Sequence, residues 1–325
     1  MKLRYASLLV ALLAASAACK KTEEKAPPKV TEVGSAKGSA GSGSAGSAAA
    51  AADPWSKPEP AKDPLKHPLF WSIEKDGKTS YLLGTMHTGV DPQSRLPDIV
   101  WKKLDESKIF AMETDLGGAA KLDVLLKNGQ SLKDLLGDEY WKKLEDAIGV
   151  QEANRLIGFK PMIPATLISM RGLQQTPPMD GVLHGRALNQ NKKIVFLEPI
   201  ERQAAVLEKW MDIKALKEML DDLPGGEARA KAMFEAYVSG DENAILKISD
   251  EERTDFVKHG RTEKEYEEQM QDMLYSRNAS WIPTIEKINA EGPAFVAVGA
   301  LHLVGQKSVL DLLQQKGYKV TRITP

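Results

Sequence analysis

The chain has 325 residues, 42% hydrophobic and 27% charged, the balance of an ordinary globular protein. Its formal net charge of −1 gives no general attraction for nucleic acid, so no nucleic-acid partner is expected. The one cysteine, Cys19, excludes an internal disulfide framework and leaves stability to the core.

The first segment addresses the chain rather than folding it. Lys2 and Arg4 form a basic start, Ala6 to Ala15 an apolar stretch, and Ser16-Ala17-Ala18 a run of small residues before Cys19. That order is a secretory signal. Its apolar stretch is too short for a membrane span, which needs about 20 residues. Ser-Ala-Ala-Cys resembles a bacterial lipobox, with Ser16 standing where Leu is more usual. Residues 1–18 therefore read as a lipoprotein signal peptide and Cys19 as the lipidated residue. Lys20 is not an acidic retention signal. The expected location is the cell envelope, lipid-anchored in the outer membrane and facing the periplasm. Residues 19–54 are charged at first, then pass Pro27-Pro28 into a run of almost pure Gly, Ser and Ala. Such a segment buries too little to offset its ordering entropy and reads as a flexible tether.

Residues 55–325 read as one folded domain. Two strand-like runs, 69–74 and 79–83, flank Asp76-Gly77, a strong two-residue hairpin signal. Gly84-Thr-Met-His87 follows. A loop with Pro92 and Pro97 leads to a helix over 98–107 and a buried strand over 108–112 that ends at Glu113. The stretches 121–190 and 201–291 are mostly helical, with helices expected over 138–148, 163–173, 202–220 and 263–277. Between them a strand over 193–197 ends at Glu198. Near the C-terminus a strand over 294–298 leads into Gly299-Ala-Leu-His302, a helix over 306–316 and a strand over 318–323. Strand, Gly-x-x-His, helix, strand thus occurs twice. The expected fold is α+β: a small central sheet built from two such repeats, with a large helical insertion. Each repeat is expected to pair its strands in parallel, as a βαβ unit does.

His87, Glu113, Glu198 and His302 each fall at or just past a strand's C-terminal end. In parallel sheets ligands collect there, because loops converge and helix N-termini point inward. Two imidazoles and two carboxylates suit a divalent ion such as Mn, Co or Zn. Such an ion could lower the pKa of bound water to about 7, with a remaining carboxylate as general base. Gly84 and Gly299 permit a tight turn or a close approach. Each feature also has a plain structural reading. A lone Gly-x-x-His is common, and a strand-end Glu is often a cap. His184 reads as a structural helix-face residue, His259 as exposed, and His67 as unrelated to the site. Methionines and tryptophans read as core, with Met86 and Met112 as site walls. Arg277 could simply pair with an acid on a helix.

Several motifs together resemble the TraB/GumN (PrgY, TIKI-related) family. They are Leu82-Leu-Gly-Thr-Met-His87, Asp180 with Leu183, Leu197-Glu198 followed by Gln203, Arg277-Asn278 before Trp281, and Val298-Gly-Ala-Leu-His-Leu-Val-Gly305. The resemblance implies an α+β fold with both Gly-x-x-His motifs in one site. It implies kinship with TIKI-type metal-dependent proteases and, more distantly, with erythromycin-esterase-like and ChaN-like proteins. On that basis His87 and His302 would be metal-linked or catalytic, with Glu113 as a ligand or base. Arg277 and Asn278 would be polar site residues, Arg277 stabilising an oxyanion or holding a carboxylate. Glu198 and Asp180 come next. The function implied is a metal-dependent hydrolase, most readily a peptidase, acting on a peptide or small-molecule substrate. The competing readings are a non-catalytic regulatory lipoprotein that binds a peptide or small ligand, and a haem- or iron-binding protein.

Overall fold

A computed structural model describes residues 63–127 and 129–325. The expected signal peptide, Cys19, the tether and residues 55–62 lie outside the described residues.

Among the described residues six strands are present: β1 Phe70–Lys75, β2 Lys78–Thr85, β3 Ile109–Met112, β4 Lys193–Phe196, β5 Ala294–Gly299 and β6 Lys319–Arg322. They form one mixed sheet in the order β4-β3-β5-β2-β1-β6. The β1–β2 hairpin turns at Asp76-Gly77, where φ is 52° and 70°. Both values are left-handed, as the favoured two-residue hairpin turn requires. The strands β4, β3, β5 and β2 run parallel. β3 is buried along its whole length, and Ala294 to Val298 of β5 are each fully buried. These continuous apolar runs are what strands covered on both faces demand.

The strand–loop–helix–strand order does recur, but the two segments interleave rather than pair internally. β5 lies between β2 and β3, and β6 sits at the far edge, antiparallel to β1. The hairpin uses one edge of β2, and the wholly apolar β5 takes the other. Strand β6, with its alternating exposed residues, suits an edge.

The main helices are α1 Asp98–Glu106, α2 Asp138–Ile148, α3 Met162–Ser169, α4 Met179–Asn189, α5 Ile200–Trp210, α6 Ile213–Asp221, α7 Leu223–Ser239, α8 Glu242–Lys258, α9 Glu263–Met270, α10 Ser276–Glu291 and α11 Val309–Gln315. The single helix expected over 202–220 is two. Asp212 breaks it by accepting the Ala215 N–H at 2.8 Å, an N-cap for α6. The helix expected over 263–277 passes instead through a π-helical turn, Gln271–Tyr275, and continues as α10.

One apolar core surrounds the sheet, with Phe110, Phe295 and Trp281 fully buried. A second forms among α2, α3 and α6 around Trp141, Leu144 and Leu216. The helical insertion therefore carries apolar packing of its own. Among the described residues no helix is long and apolar enough to cross a membrane.

Candidate active site

The two Gly-x-x-His motifs leave the sheet side by side, because β2 and β5 pair in parallel with Gly84 opposite Val298 and Thr85 opposite Gly299. β3 delivers Glu113 on the other side of β5, and β4 delivers Glu198 beyond it. All four strand-end residues expected from the sequence thus share one sheet edge.

The motif glycines are needed for close approach, not for backbone twist; neither has a positive φ. A Cβ on Gly84 would lie 3.1 Å from the Leu69 Cβ and 3.2 Å from the Ala300 Cα of the other motif. A Cβ on Gly299 would lie 3.2 Å from Glu113 Oε1. That oxygen accepts the Gly299 N–H at 2.7 Å.

Arg277 is the hub. It enters on α10, two residues past the π-helical segment, a distortion that often marks functional sites. Its Nη2 donates to Glu113 Oε2 at 2.8 Å and to Glu198 Oε1 at 2.6 Å. Its Nε donates to the same Glu198 oxygen at 2.8 Å, and its Nη1 to the Met273 carbonyl at 2.9 Å. Trp281 donates its indole N–H to Glu198 Oε2 at 3.3 Å. Gln203 donates to Glu113 Oε2 at 3.2 Å.

The two histidines are held differently. His302 is buried. Its Nδ1 meets Asn278 Oδ1 at 2.6 Å, and its Nε2 lies 3.3 Å from Arg277 Nη1. The Asn278 amide donates to the Lys307 carbonyl at 2.9 Å, which fixes its oxygen toward the imidazole. His302 therefore carries its proton on Nδ1 and presents a lone pair at Nε2. Burial pushes its pKa down to about 4 despite the charge of Glu113. His87 Nδ1 instead pairs with Asp180 Oδ2 at 2.9 Å. Thr85 donates to the other Asp180 oxygen at 2.8 Å. The His87 side chain is 49% accessible and faces the cleft. Burial in the cleft opposes its charge. The hydrogen bond and charge of Asp180, with Glu113 behind, prevail and hold its pKa up at about 9. Burial likewise raises the Glu113 carboxyl. The charges of His302, Arg277 and His87 and the Gly299 N–H overcome it and bring the pKa to about 2.

At neutral pH the site thus holds a protonated His87, a neutral His302 and an ionised Glu113. A cleft of about 620 Å³ opens onto all three, with Thr85, Arg277 and Gly299 beside them.

Among the described residues no group of three or more His, Cys, Asp or Glu side chains is placed to hold a metal ion. Two of the groups expected as ligands are engaged: Glu113 Oε2 and His302 Nε2 face the Arg277 guanidinium, whereas His87, held at Nδ1 by Asp180, keeps its Nε2 free of any partner among the described residues. A divalent ion does not fit His87, His302 and Glu113 as they stand, because a resident cation already joins two of them.

Tyr237 and Thr85 were not expected in the site. Tyr237, buried on α7, donates its hydroxyl to the Gly84 carbonyl at 2.8 Å and anchors the first motif from the helical insertion. Thr85 could have been found as a polar residue inside the motif; a tyrosine within a long helical stretch gives no such sign. His184 stacks on Phe110 at 6.2 Å, away from this network. His67 and His259 are exposed. Met86 lines the cleft, and Met112 is core.

Fold and site together define an α+β protein with a paired-histidine site at the end of a parallel sheet. The chain belongs to the TraB/PrgY/gumN family, whose profile matches residues 69–322. It is similar to the uncharacterized protein YbaP of Shigella flexneri, 26% identical over 247 residues that cover 72% of this chain and 88% of YbaP. An uncharacterized protein of Treponema pallidum is 23% identical over 276 residues, 77% of this chain and 81% of that protein. Metalloprotease TIKI2 of Danio rerio is 24% identical over 335 residues, 83% of this chain and 63% of TIKI2. No solved structure matches.

Proposed function

We propose that the protein is a hydrolase of the amide bond, with peptides as the first substrate class to test, tethered through Cys19 to the outer membrane and facing the periplasm. One observation carries the catalytic part: a carboxylate-paired His87 and a His302 oriented by Asn278 and kept neutral by burial face one cleft. Two titratable groups whose surroundings drive them apart make an acid–base pair. In this reading Arg277 Nη1 leaves His302 Nε2 for the substrate carbonyl oxygen, and the freed Nε2 takes the proton of water as its oxygen adds to the carbonyl. The protonated His87 then gives its Nε2 proton to the leaving nitrogen, and the proton gained by His302 returns to His87 through solvent in the cleft before the next turnover. Arg277 and the Gly299 loop balance the charge that develops on the carbonyl oxygen. The similarity to a metalloprotease supports hydrolysis and raises the question of a Mn, Co or Zn ion. Such an ion would require Arg277 to release Glu113 and His302, so no step is assigned to it here.

A second reading, a binding protein without turnover, has one observation in its favour. Both oxygens of Glu113 and three nitrogens of Arg277 already have protein partners. Incubation with a broad peptide library, read by mass spectrometry, separates the two. Cleavage products that vanish in Glu113→Ala support hydrolysis; an unchanged library overturns it for peptides.

A further inference from the structure

Seven of the chain's eleven methionines line the cleft, among them Met170, Met211, Met219, Met233 and Met270. Methionine is unbranched and polarisable, so such a wall adapts to flexible apolar shapes. The walls of this stretch come from α3, α5, α6, α7, α8 and α9. Helices spend their backbone N–H and C=O groups internally, so no strand edge faces the cavity.

Several polar side chains in the lining are also spent, Glu252 and Gln269 being exceptions. Thr166 donates to the Met162 carbonyl at 2.8 Å and Ser169 to the Thr166 carbonyl at 2.8 Å. Tyr266 donates to the Ser249 carbonyl at 2.9 Å, and Trp210 to Asp272 at 2.9 Å. An extended peptide lying here would leave most of its amide groups without partners, a cost of roughly 1–3 kcal/mol for each group. A hydrocarbon chain has no such groups. At the end away from His87 and His302 the lining turns charged and largely paired, Arg261 with Glu218 and Arg229 with Asp222 and Asp255, while Glu252 has no hydrogen bond among the described residues. That end bounds the apolar stretch.

We infer that the methionine-lined cleft binds a flexible hydrocarbon chain, the acyl chain of a lipid-like amide or ester, with the carbonyl at the His87–His302 end. The placement of the carbonyl rests on the hydrolase reading; the binding of the chain does not.

The test uses the full chain and the naturally fluorescent fatty acid cis-parinaric acid, displaced by saturated fatty acids of increasing length. The expected result is one-to-one binding that tightens by about fourfold for each added CH₂, the equivalent of about 0.8 kcal/mol. Tightening should stop at the length that reaches the charged end. Met219→Glu and Met270→Lys should each weaken binding tenfold or more. Met219→Leu, which keeps the wall apolar, should bind within threefold of the unaltered protein. Thermal melts of each variant separate lost binding from lost folding. No fluorescence rise, no dependence on chain length, or equal displacement by an apolar peptide would overturn the inference. Acyl-chain binding without turnover would leave it standing and sink only the hydrolase reading. Turnover of short amides with no gain from longer chains would do the reverse.

Discussion

The Gly299 N–H donates to Glu113 Oε1 at 2.7 Å, joining the second Gly-x-x-His motif to the end of the neighbouring strand. The same contact explains the glycine, since a Cβ at 299 would press on that oxygen from 3.2 Å. Gly299→Ala should therefore displace Glu113 and cost about 1–3 kcal/mol. Gly84→Ala should cost a similar amount, because its Cβ would press on Ala300 of the opposite motif. Urea unfolding of both variants checks this; stability equal to the unaltered protein at both positions would show that the loops are not tightly apposed.

Among the described residues Arg277 is the one side chain bonded to both Glu113 and Glu198, all three being buried. Arg277→Met should destabilise by about 3–5 kcal/mol, because two buried carboxylates lose their shared guanidinium and Glu198 keeps only the Arg202 cation, at 3.8 Å. Arg277→Lys should recover only part of the loss, since an ammonium cannot reproduce the planar fork. Adding Glu198→Gln to Arg277→Met should restore some stability by removing one orphaned charge. Denaturation midpoints decide it: a double variant less stable than Arg277→Met would contradict the account.

The histidines should shape stability in opposite directions. His87 holds its proton more tightly folded than unfolded, about 9 against 6.5, so its contribution is full below 6.5 and is lost as pH rises through 9. His302 has its pKa depressed to about 4, so the unfolded chain gains a proton first and stability falls as pH drops from 6.5 to 4. Glu113, at about 2 against 4.5, contributes fully above 4.5 and loses its effect as pH falls toward 2. Together they place the stability maximum near pH 6.5. In urea titrations His87→Gln should flatten the alkaline fall and His302→Gln the acid fall. Profiles unchanged in both variants would refute these protonation states.

Tyr237 ties α7 to the first motif through the Gly84 carbonyl. Tyr237→Phe keeps the ring and removes the bond, so the expected loss is about 1 kcal/mol. Hydrogen exchange should quicken in the loop carrying His87. Unchanged exchange there would mean that the motif holds its shape without the helical insertion.

Much of this architecture is legible in the sequence because its causes are local. Asp76-Gly77 dictates the hairpin through left-handed backbone, and apolar runs mark the strands whose ends carry Glu113, Glu198, His87 and His302. What is not legible depends on which strands meet. Nothing in the residues between β2 and β3 says that β5, far along the chain, will sit between them. The repeat therefore suggested internal pairing where the sheet has interleaving. The partners of the site are hidden for the same reason: Asp180 lies 93 positions from His87, and Arg277 lies 164 from Glu113. A sequence shows that Arg277 could pair with an acid, but only the fold shows that it pairs with two and so stands against the cation expected from the histidines.

The central claim is that His87 and His302 work as an acid–base pair around a resident guanidinium. Its most direct test is a single paired measurement: amide turnover and bound metal, determined on the same purified protein with and without a chelator. The account predicts turnover that survives chelation and is lost in His87→Gln and in His302→Gln. Turnover that disappears with the chelator and returns with one divalent ion per chain would contradict it.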